Sequence, residues 1–390
     1  MIKILHTSDW HLGRLLYGKS LLEEQAYALT GLLELIDKTK PDALLIAGDV
    51  FDRALPPEAA VQLFDWFCSE AVLKRQLPVF VIPGNHDSNE RIGFGSALLR
   101  TSGLTIFSRI EDALKPVRLK GADGTEAMIY GLPFLEPAMI ARFLNNESLK
   151  TPDEVTRALV KRILTEHPVG LPSILLCHAY VVGGEGSDSE RDLFIGGSAF
   201  VSSEAFEGLS YVALGHLHKP QTAGQLHIRY SGSLLTYSKS EVEHSKSVTE
   251  ISMAADGTFE TAFHSLPVRR ALRYFEGSLG EIVSSAEKFS ALERDAYVII
   301  GLTDSGPVLD ALARLRAVFP NVLHVARAGG YVPATLPSLA KARERETLSD
   351  LDLFAEFFTE TTSLSLSADE RTALIDAITT VSNADRDRSP

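Results

Sequence analysis

Five short polar motifs hold the side chains in this chain that can do chemistry: Asp9-x-His11, Gly48-Asp49-Val50-Phe51-Asp52, Gly84-Asn85-His86-Asp87, Cys177-His178 and Gly215-His216-Leu217-His218. Asp9, His11, Asp49, Asn85, His178, His216 and His218 form a donor set of oxygens and imidazole nitrogens without a thiolate. Such a set favours manganese, iron or zinc in an open five- or six-coordinate geometry over a closed tetrahedral zinc site. It is large enough for two divalent ions. Two cations about 3.5–4 Å apart can clamp both the attacking and the leaving oxygens in phosphate ester hydrolysis. Asp49, expected at a strand end, suits a bridging carboxylate. His86 follows Asn85 directly and is the candidate general acid for the leaving group.

These motifs can meet only if the fold delivers them to one place. Each follows an apolar run: Ile2–Leu5, Ala43–Ala47, Val79–Ile82, Ile174–Leu176 and Tyr211–Leu214. Short apolar runs alternating with helical patterns predict buried strands of a mostly parallel sheet, where functional groups collect at the carboxyl ends. Asp9 and His11 can share an ion only if the chain turns as it leaves its strand, and the same geometry lets His216 and His218 approach the pair of ions together.

The linking segments supply the helices. Ser20 and Glu23 form a capping-box pattern that predicts a helix from near Ser20 to before Pro41. Pro56-Pro57 opens a second, with Val61, Phe64, Phe67 and Val72 facing inward. Residues 104–134 read as shorter strands, and Thr151-Pro152 starts a helix to about His167. Tyr180–Phe200 is a glycine-rich polar loop directly after a candidate ligand. Ile228–Tyr230 and Ser247–Met253 read as antiparallel strands closing a second sheet. The expected architecture is α/β, a four-layer α-β-β-α sandwich over residues 1–265.

A small α+β domain is expected over residues 270–330, built from Tyr274–Glu276, a helix over Leu279–Phe289, strand Tyr297–Leu302, helix Val308–Val318 and strand Val322–Ala326. Arg327–Ala340 reads as a connector. Residues 341–390 form a helical tail with two amphipathic patterns. One carries Leu348, Leu351, Phe354, Phe357 and Phe358; the other, capped by Ser367-x-x-Glu370, carries Leu374, Ile375 and Ile378.

At 390 residues the chain exceeds one typical core. A formal net charge of -13 argues against coating nucleic acid by charge alone. Arg14, Lys19, Arg53, Arg91 and Lys219 lie near the motif ends, where they could meet phosphates or simply be paired. The apolar stretches are too short to span a bilayer, and residues 1–8 lack an export signal's pattern. Cys68 and Cys177 suggest no disulfide framework, in keeping with the cytoplasm.

One motif alone would mean little, because a lone histidine at a strand end is usually structural. Five in this order, each behind a strand-like run, would be an improbable accident. His6 and His227 fall inside strand patterns and are read as core residues.

The motif order Asp-x-His, Gly-Asp-x-x-Asp, Gly-Asn-His-Asp, a lone His after a strand and Gly-His-x-His resembles the calcineurin-like metallophosphoesterases. Within them, the stretches HTSDWHLGR (His6–Arg14), PDALLIAGDVFDRALPP (Pro41–Pro57), VFVIPGNHDS (Val79–Ser88) and ALGHLHKPQ (Ala213–Gln221) resemble the SbcD family of nuclease subunits. Ser189-Glu190-Arg191, Ile195-Gly196-Gly197, Leu353-Phe354 and Phe357-Phe358 extend that likeness. The resemblance implies one ion held by Asp9, His11, Asp49 and His218 and a second held by Asp49, Asn85, His178 and His216. It further implies manganese dependence, 3′–5′ exonuclease and single-strand or hairpin endonuclease activity on DNA, and a role in DNA repair and recombination at the nucleoid. The implied partners are a second copy of the chain and an SMC-like ATPase of SbcC type, in a heterotetramer, the ATPase docking on the C-terminal helices. The small domain would be a capping domain that contacts DNA.

Some archaeal and eukaryotic relatives carry a histidine where Asp52 stands. Asp52 is therefore given a supporting part, pairing with Arg53 or orienting a ligand histidine, and Asp87 a similar one. Two other readings share the motifs. One is a phosphodiesterase or phosphatase for a small substrate; the other is a non-catalytic scaffold, which should have lost ligands that this chain retains.

Overall fold

The computed structural model describes residues 1–190, 200–306, 308–328, 349, 351–352, 354–355, 358 and 365–386. Two compact units emerge, residues 1–274 with 295–298 and residues 275–294 with 299–390.

The first unit is built on two six-stranded sheets. One contains β1 (Ile2–Thr7), β2 (Ala43–Ala47), β3 (Val79–Ile82) and β4 (Leu104–Ile106), all parallel. The other contains β5 (Val117–Lys120), β6 (Glu126–Leu132), β7 (Ser173–His178), β8 (Tyr211–Gly215), β9 (Gln221–Ala223) and β10 (Gln225–Tyr230), in the order β9-β10-β8-β7-β6-β5. Strands β11 (Val248–Met253) and β12 (Phe259–His264) complete the first sheet, in the order β12-β11-β1-β2-β3-β4.

Side-chain alternation assigns each strand two faces. Ile4, Leu45, Ile82 and Ile251 of the first sheet share one buried cluster with Ile129, Ile174, Leu176 and Ala213 of the second. On the other face of the second sheet, Leu175, Cys177, Val212 and Leu214 pack with Val155, Leu159, Val160 and Ile163 of helix Pro152–Glu166. The buried residues Leu29, Leu32, Leu33 and Ile36 of α1 (Leu22–Thr39) and Phe67 of α2 (Glu58–Cys68) contribute further apolar faces. This is the four-layer α-β-β-α sandwich that the strand and helix patterns predict.

Register aligns the ends that matter. Thr7 pairs with Ile46, Ala47 with Ile82, and His178 with Gly215, so the chain leaves these strands at a common level within each sheet.

Several local expectations change. Strand β10 runs parallel to β8, because Gly224, with φ +73°, reverses β9 into an antiparallel hairpin first. Strand β11 belongs to the first sheet, antiparallel to β1; alternation identifies a strand but not its partner. Ser20 sits in a two-stranded ribbon rather than capping α1, whose cap Leu21 makes no side-chain bond. Val61 is exposed, and α2 continues into a π-helical turn, Ser69–Lys74, that periodicity did not indicate. Thr151 does cap its helix, reciprocally with Glu154.

The three-stranded sheet of Leu272–Gly277, Tyr297–Leu302 and Val322–Arg327 has Tyr297–Leu302 in the middle. In the second unit, helix Leu279–Ser285 is capped by Ser278 and Glu281, and the rings of Phe275, Phe289 and Phe319 lie 5.1–5.7 Å apart. Helix Ala311–Arg316 is shorter than expected, and Ser367 and Glu370 cap helix Ala368–Arg386 as their spacing suggests. Connector residues 329–340, Leu348, Leu353 and Phe357 lie outside the described residues. Among the described residues, no helix is long and apolar enough to cross a membrane.

Leu176 is buried between the sheets two residues before His178. Leu176→Ala is expected to reduce unfolding free energy by about 2–5 kcal/mol. Urea denaturation measures it; an unchanged midpoint would contradict the inter-sheet position.

Candidate metal centre

The ligand-bearing loops begin where the strands run out, and they turn through backbone states that ordinary residues rarely adopt. Asp9, His11, Asp49 and His216 all have positive φ, at 53°, 46°, 49° and 106°. Such strain, of order 1–3 kcal/mol per residue, concentrates at functional sites and persists only where surroundings enforce it. Here neighbouring loops do so: the N–H groups of Asp9, His11 and Leu12 donate to the carbonyls of Gly48, Asp49 and Val50. The turn required for Asp9 and His11 to share a site is thus present. The approach of the two sheets is equally tight. A Cβ on Gly215 would lie 1.8 Å from the Ala47 carbonyl oxygen, and one on Gly48 2.2 Å from His178 Nδ1.

The structure brings together the sequence candidates into one buried cluster. Three sets have ligand atoms within 4.8 Å of each other: Asp9, His11 and His218; His11, Asp49 and His86; Asp9, Asp49 and His178. Asp49 Oδ2 is 3.6 Å from both His11 Nε2 and His178 Nε2, and 3.9 Å from His86 Nε2. Asn85 Oδ1 is 2.9 Å from His178 Nε2. His216 belongs to none of the three sets. Its backbone N–H donates to Asp9 Oδ1 at 2.9 Å, and its ring lies 5.5 Å from that of His178.

The polar atoms of the cluster fit divalent cations. His178 Nδ1 is 3.0 Å from the Ala47 carbonyl, which can only accept, so the proton sits on Nδ1. That turns Nε2 toward Asn85 Oδ1 at 2.9 Å, a nitrogen and an amide oxygen placed where one cation could be shared. His11 Nε2 and His218 Nε2 are 3.0 Å apart, the spacing of adjacent ligands whose bonds to one ion are about 2.1 Å. His11 Nδ1 is buried without a hydrogen-bond partner.

Electrostatics point the same way. Burial, then the charge of Asp49, pushes the Asp9 carboxyl well above the usual range, against the bonds from Ser8 and His216. Burial, then neighbouring imidazoles, holds His11 and His216 well below the ordinary histidine value. Neutral imidazoles beside crowded carboxylates are ready ligands, and a cation would remove the repulsion.

His86 is placed for a different task. Its backbone N–H donates to Asp49 Oδ1 at 2.9 Å, and its ring Nδ1 lies 2.8 Å from the Asp52 carbonyl oxygen. The ring therefore presents Nε2 to the cluster.

The supporting residues differ partly from expectation. Asp52 pairs through its carboxylate with Arg14, at 3.3 Å, rather than with Arg53. At 3.9 Å its carboxylate is too far from His11 Nδ1 for a hydrogen bond. Asp87 accepts from the backbone N–H groups of Val50, Phe51 and Gly84 at 2.9–3.0 Å, stapling two ligand loops. Burial and the charge of Asp49 push its carboxyl up to about 7 against those bonds.

Two supports carry no motif. Gln25 of α1 donates to the carbonyls of Trp10 and His11 and accepts from the Gly13 N–H, bracing the first ligand loop. A polar residue among Leu21, Ala28, Leu29 and Leu32 was a readable signal. Glu241 is fully buried with Oε1 3.0 Å from His218 Nδ1 and Oε2 accepting from Lys246. Burial alone would raise its carboxyl, but the His218 and Lys246 contacts outweigh that and hold it well below the usual range. No spacing pattern announces it.

Of the basic candidates, Arg14 also stacks 5.0 Å over Tyr237, and Lys219 pairs with Glu185. In the loop after His178, Ser189 and Glu190 contact His218, while Arg191 and Ile195-Gly196-Gly197 lie outside the described residues. His6 is satisfied within the core by Tyr211 and the Leu214 carbonyl, and burial lowers it to about 3. His227 is only partly buried, and its Nε2 has no hydrogen-bond partner.

Comparison with known proteins places the chain in a family. Residues 2–220 match the family described as calcineurin-like phosphoesterase, and residues 268–362 match one described as type 5 capsule protein repressor C-terminal domain. The SbcD subunit of the SbcCD nuclease of Staphylococcus epidermidis is 32% identical over 322 residues, covering 83% of this chain and 84% of that protein. Two solved structures also align: the TT1561 protein of Thermus thermophilus, with TM-score 0.39, 18% identity and coverage of 67% of this chain and 98% of that one, and the calcineurin-like phosphoesterase YfkN of Bacillus subtilis, with TM-score 0.36, 13% identity, and coverage of 68% and 90%. At those scores neither bears on the assignment. The family match over more than half the chain and the identity to the staphylococcal SbcD lead to one conclusion: this chain is a member of the calcineurin-like phosphoesterases, within the SbcD family of nuclease subunits.

Proposed function

We propose that this chain is the nuclease subunit of an SbcCD-type complex, hydrolysing DNA phosphodiesters at a two-metal centre, with Mn²⁺ as the working ion. The observation that carries the reading is Asp49, whose carboxylate sits between the His11 and His178 nitrogens, where a bridging ligand belongs. Asp9, His11, Asp49 and His218 would hold one ion and Asp49, Asn85, His178 and His216 the other. The oxygen-rich donor set and the amide oxygen of Asn85 favour a hard cation. Bound divalent cations supply Lewis acidity toward the phosphate and a more acidic water.

The chain's own residues do the rest. Asp87 and Gln25 keep the ligand loops from relaxing. His86, whose Nδ1 donates to the Asp52 carbonyl, would protonate the leaving oxygen from Nε2 in its doubly protonated, imidazolium form. The reading includes 3′–5′ exonuclease and single-strand or hairpin endonuclease action in DNA repair, recombination and replication, in the cytoplasm at the nucleoid. A small-substrate phosphodiesterase would share the centre, but it has no use for the additional α+β unit.

The decisive assay is Mn²⁺-supported digestion of labelled duplex, hairpin and single-stranded DNA, with a cyclic nucleotide as competing substrate; cleavage of the nucleotide alone would select the small-substrate reading. In the same assay His86→Ala is expected to keep metal and DNA but lose about 10²–10⁴ in rate. Asp49→Ala is expected to lose bound metal, read by elemental analysis. Full turnover in His86→Ala would remove it as the acid.

We assign the small unit (residues 270–330) to DNA contact and residues 341–390 to an SMC-like ATPase of SbcC type. Support for the latter is the apolar stripe of helix Ala368–Arg386, where Ile375 is 45% exposed. Deleting residues 341–390 should abolish co-purification with the ATPase while leaving Mn²⁺ nuclease activity; retained association would overturn the assignment.

A homodimer, making the complex a heterotetramer, is supported by a groove of about 670 Å³ rimmed by Leu55, Val61, Leu73 and Phe94. Of these Phe94 is 86% exposed, with Leu98 nearby at 79%. Apolar surface so concentrated marks an interaction site. Phe94→Asp with Leu98→Asp is expected to give a monomer in sedimentation; an unchanged dimer would place the interface elsewhere.

A further inference from the structure

We infer that Glu241 is a positioning residue for His218, and that Ser189, bonded to Glu241, and Glu190, bonded to the His218 backbone, are latched onto that ligand. The inference rests on the metal-centre reading and deepens it.

The bonding around His218 admits one tautomer. Glu241 Oε1 is 3.0 Å from Nδ1 and, as a carboxylate, can only accept. Ser189 Oγ lies 2.6 Å from the same nitrogen and donates its own hydrogen to Glu241, so it too accepts from Nδ1. Lys246 keeps the carboxylate charged: its Nζ donates to Glu241 Oε2, to Ser233 Oγ at 2.8 Å and to the His218 carbonyl at 2.8 Å. The proton is therefore pinned on Nδ1, and the Nε2 lone pair faces His11 Nε2, where the shared ion would sit. A ligating imidazole held this way by a carboxylate is more basic and cannot rotate freely.

The latch follows from the same atoms. Glu190 Oε1 accepts from the His218 backbone N–H at 2.7 Å, while Ser189 holds the ring. Arg14 donates to the Ser189 carbonyl at 3.2 Å and to Asp52 at 3.3 Å, extending the connection to the loop that carries Asp49. Moving Ser189 and Glu190 away would strip His218 of two of its supports, so the position of these two residues is read directly at a candidate metal ligand.

The test uses the full chain and the variants Glu241→Gln, Ser189→Ala and, as a control at an exposed position, Glu243→Gln. Long-range ¹H–¹⁵N spectra of ¹⁵N-histidine-labelled, metal-free parent protein should show His218 protonated at Nδ1; protonation at Nε2 overturns the inference. Calorimetric titration with Mn²⁺ should show two binding steps in the parent and in Glu243→Gln. In Glu241→Gln one step should weaken by about 10–100-fold and the other stay unchanged. Ser189→Ala, which leaves the carboxylate and lysine in place, should weaken the same step by less. Two unaltered steps in both variants sink the inference alone, whereas a parent that binds no Mn²⁺ sinks the metal-centre reading and this inference with it. Should Glu241→Gln fail to fold, the parent tautomer and Ser189→Ala still decide.

Discussion

A cluster of carboxylates and neutral imidazoles, sealed from solvent at the ends of strands, governs this structure. Burial penalises the charge of Asp9, and the neighbouring Asp49 carboxylate adds repulsion. An arrangement of that kind gains nothing for stability by itself. It persists because the sandwich around it is stable enough to hold Asp9, His11, Asp49 and His216 in left-handed backbone states and to press Gly48 and Gly215 against the opposite sheet. The inter-sheet core gives way to this polar end where the strands of each sheet run out at a common level.

What keeps the cluster in register is a set of polar braces outside the ligands. Gln25 ties the first loop to α1, Asp87 ties the second to the third, and Glu241 with Lys246 backs His218. Each brace makes several hydrogen bonds away from bulk water, the condition under which polar groups inside a protein specify one conformation. Each also joins separate stretches of the chain, so the centre can form only when the whole first unit is folded.

The centre alone does not choose a substrate, since calcineurin-like sites place similar ligands around phosphate esters generally. Beyond the centre the chain adds the residues Ser189 and Glu190 bonded to His218, an exposed apolar rim around Phe94, and the small unit.

Much of this was legible from residues alone, and the limits of that legibility have a physical cause. Apolar runs followed by Gly, Asp, Asn and His state local facts: a buried strand, a turn, a ligand-type side chain. Hence the strands, the seven ligand candidates and His86 could be named, as could the caps at Thr151 and Ser367. Pairing is not local. Alternation in Val248–Met253 is satisfied equally by either sheet, and only the packed core joined it to Ile2–Thr7. Ser20 and Glu23 had the right spacing for a cap, yet the ribbon at Leu15–Leu16 claimed Ser20. Asp52 met Arg14 rather than its neighbour Arg53, and Glu241 met His218 across a distance no motif encodes. The amino-acid order by itself determined which groups could bind metal and what chemistry they allow. Tertiary structure decided which atoms face each other, because hydrogen bonds and buried charges depend on distances that exist only after the sheets have packed.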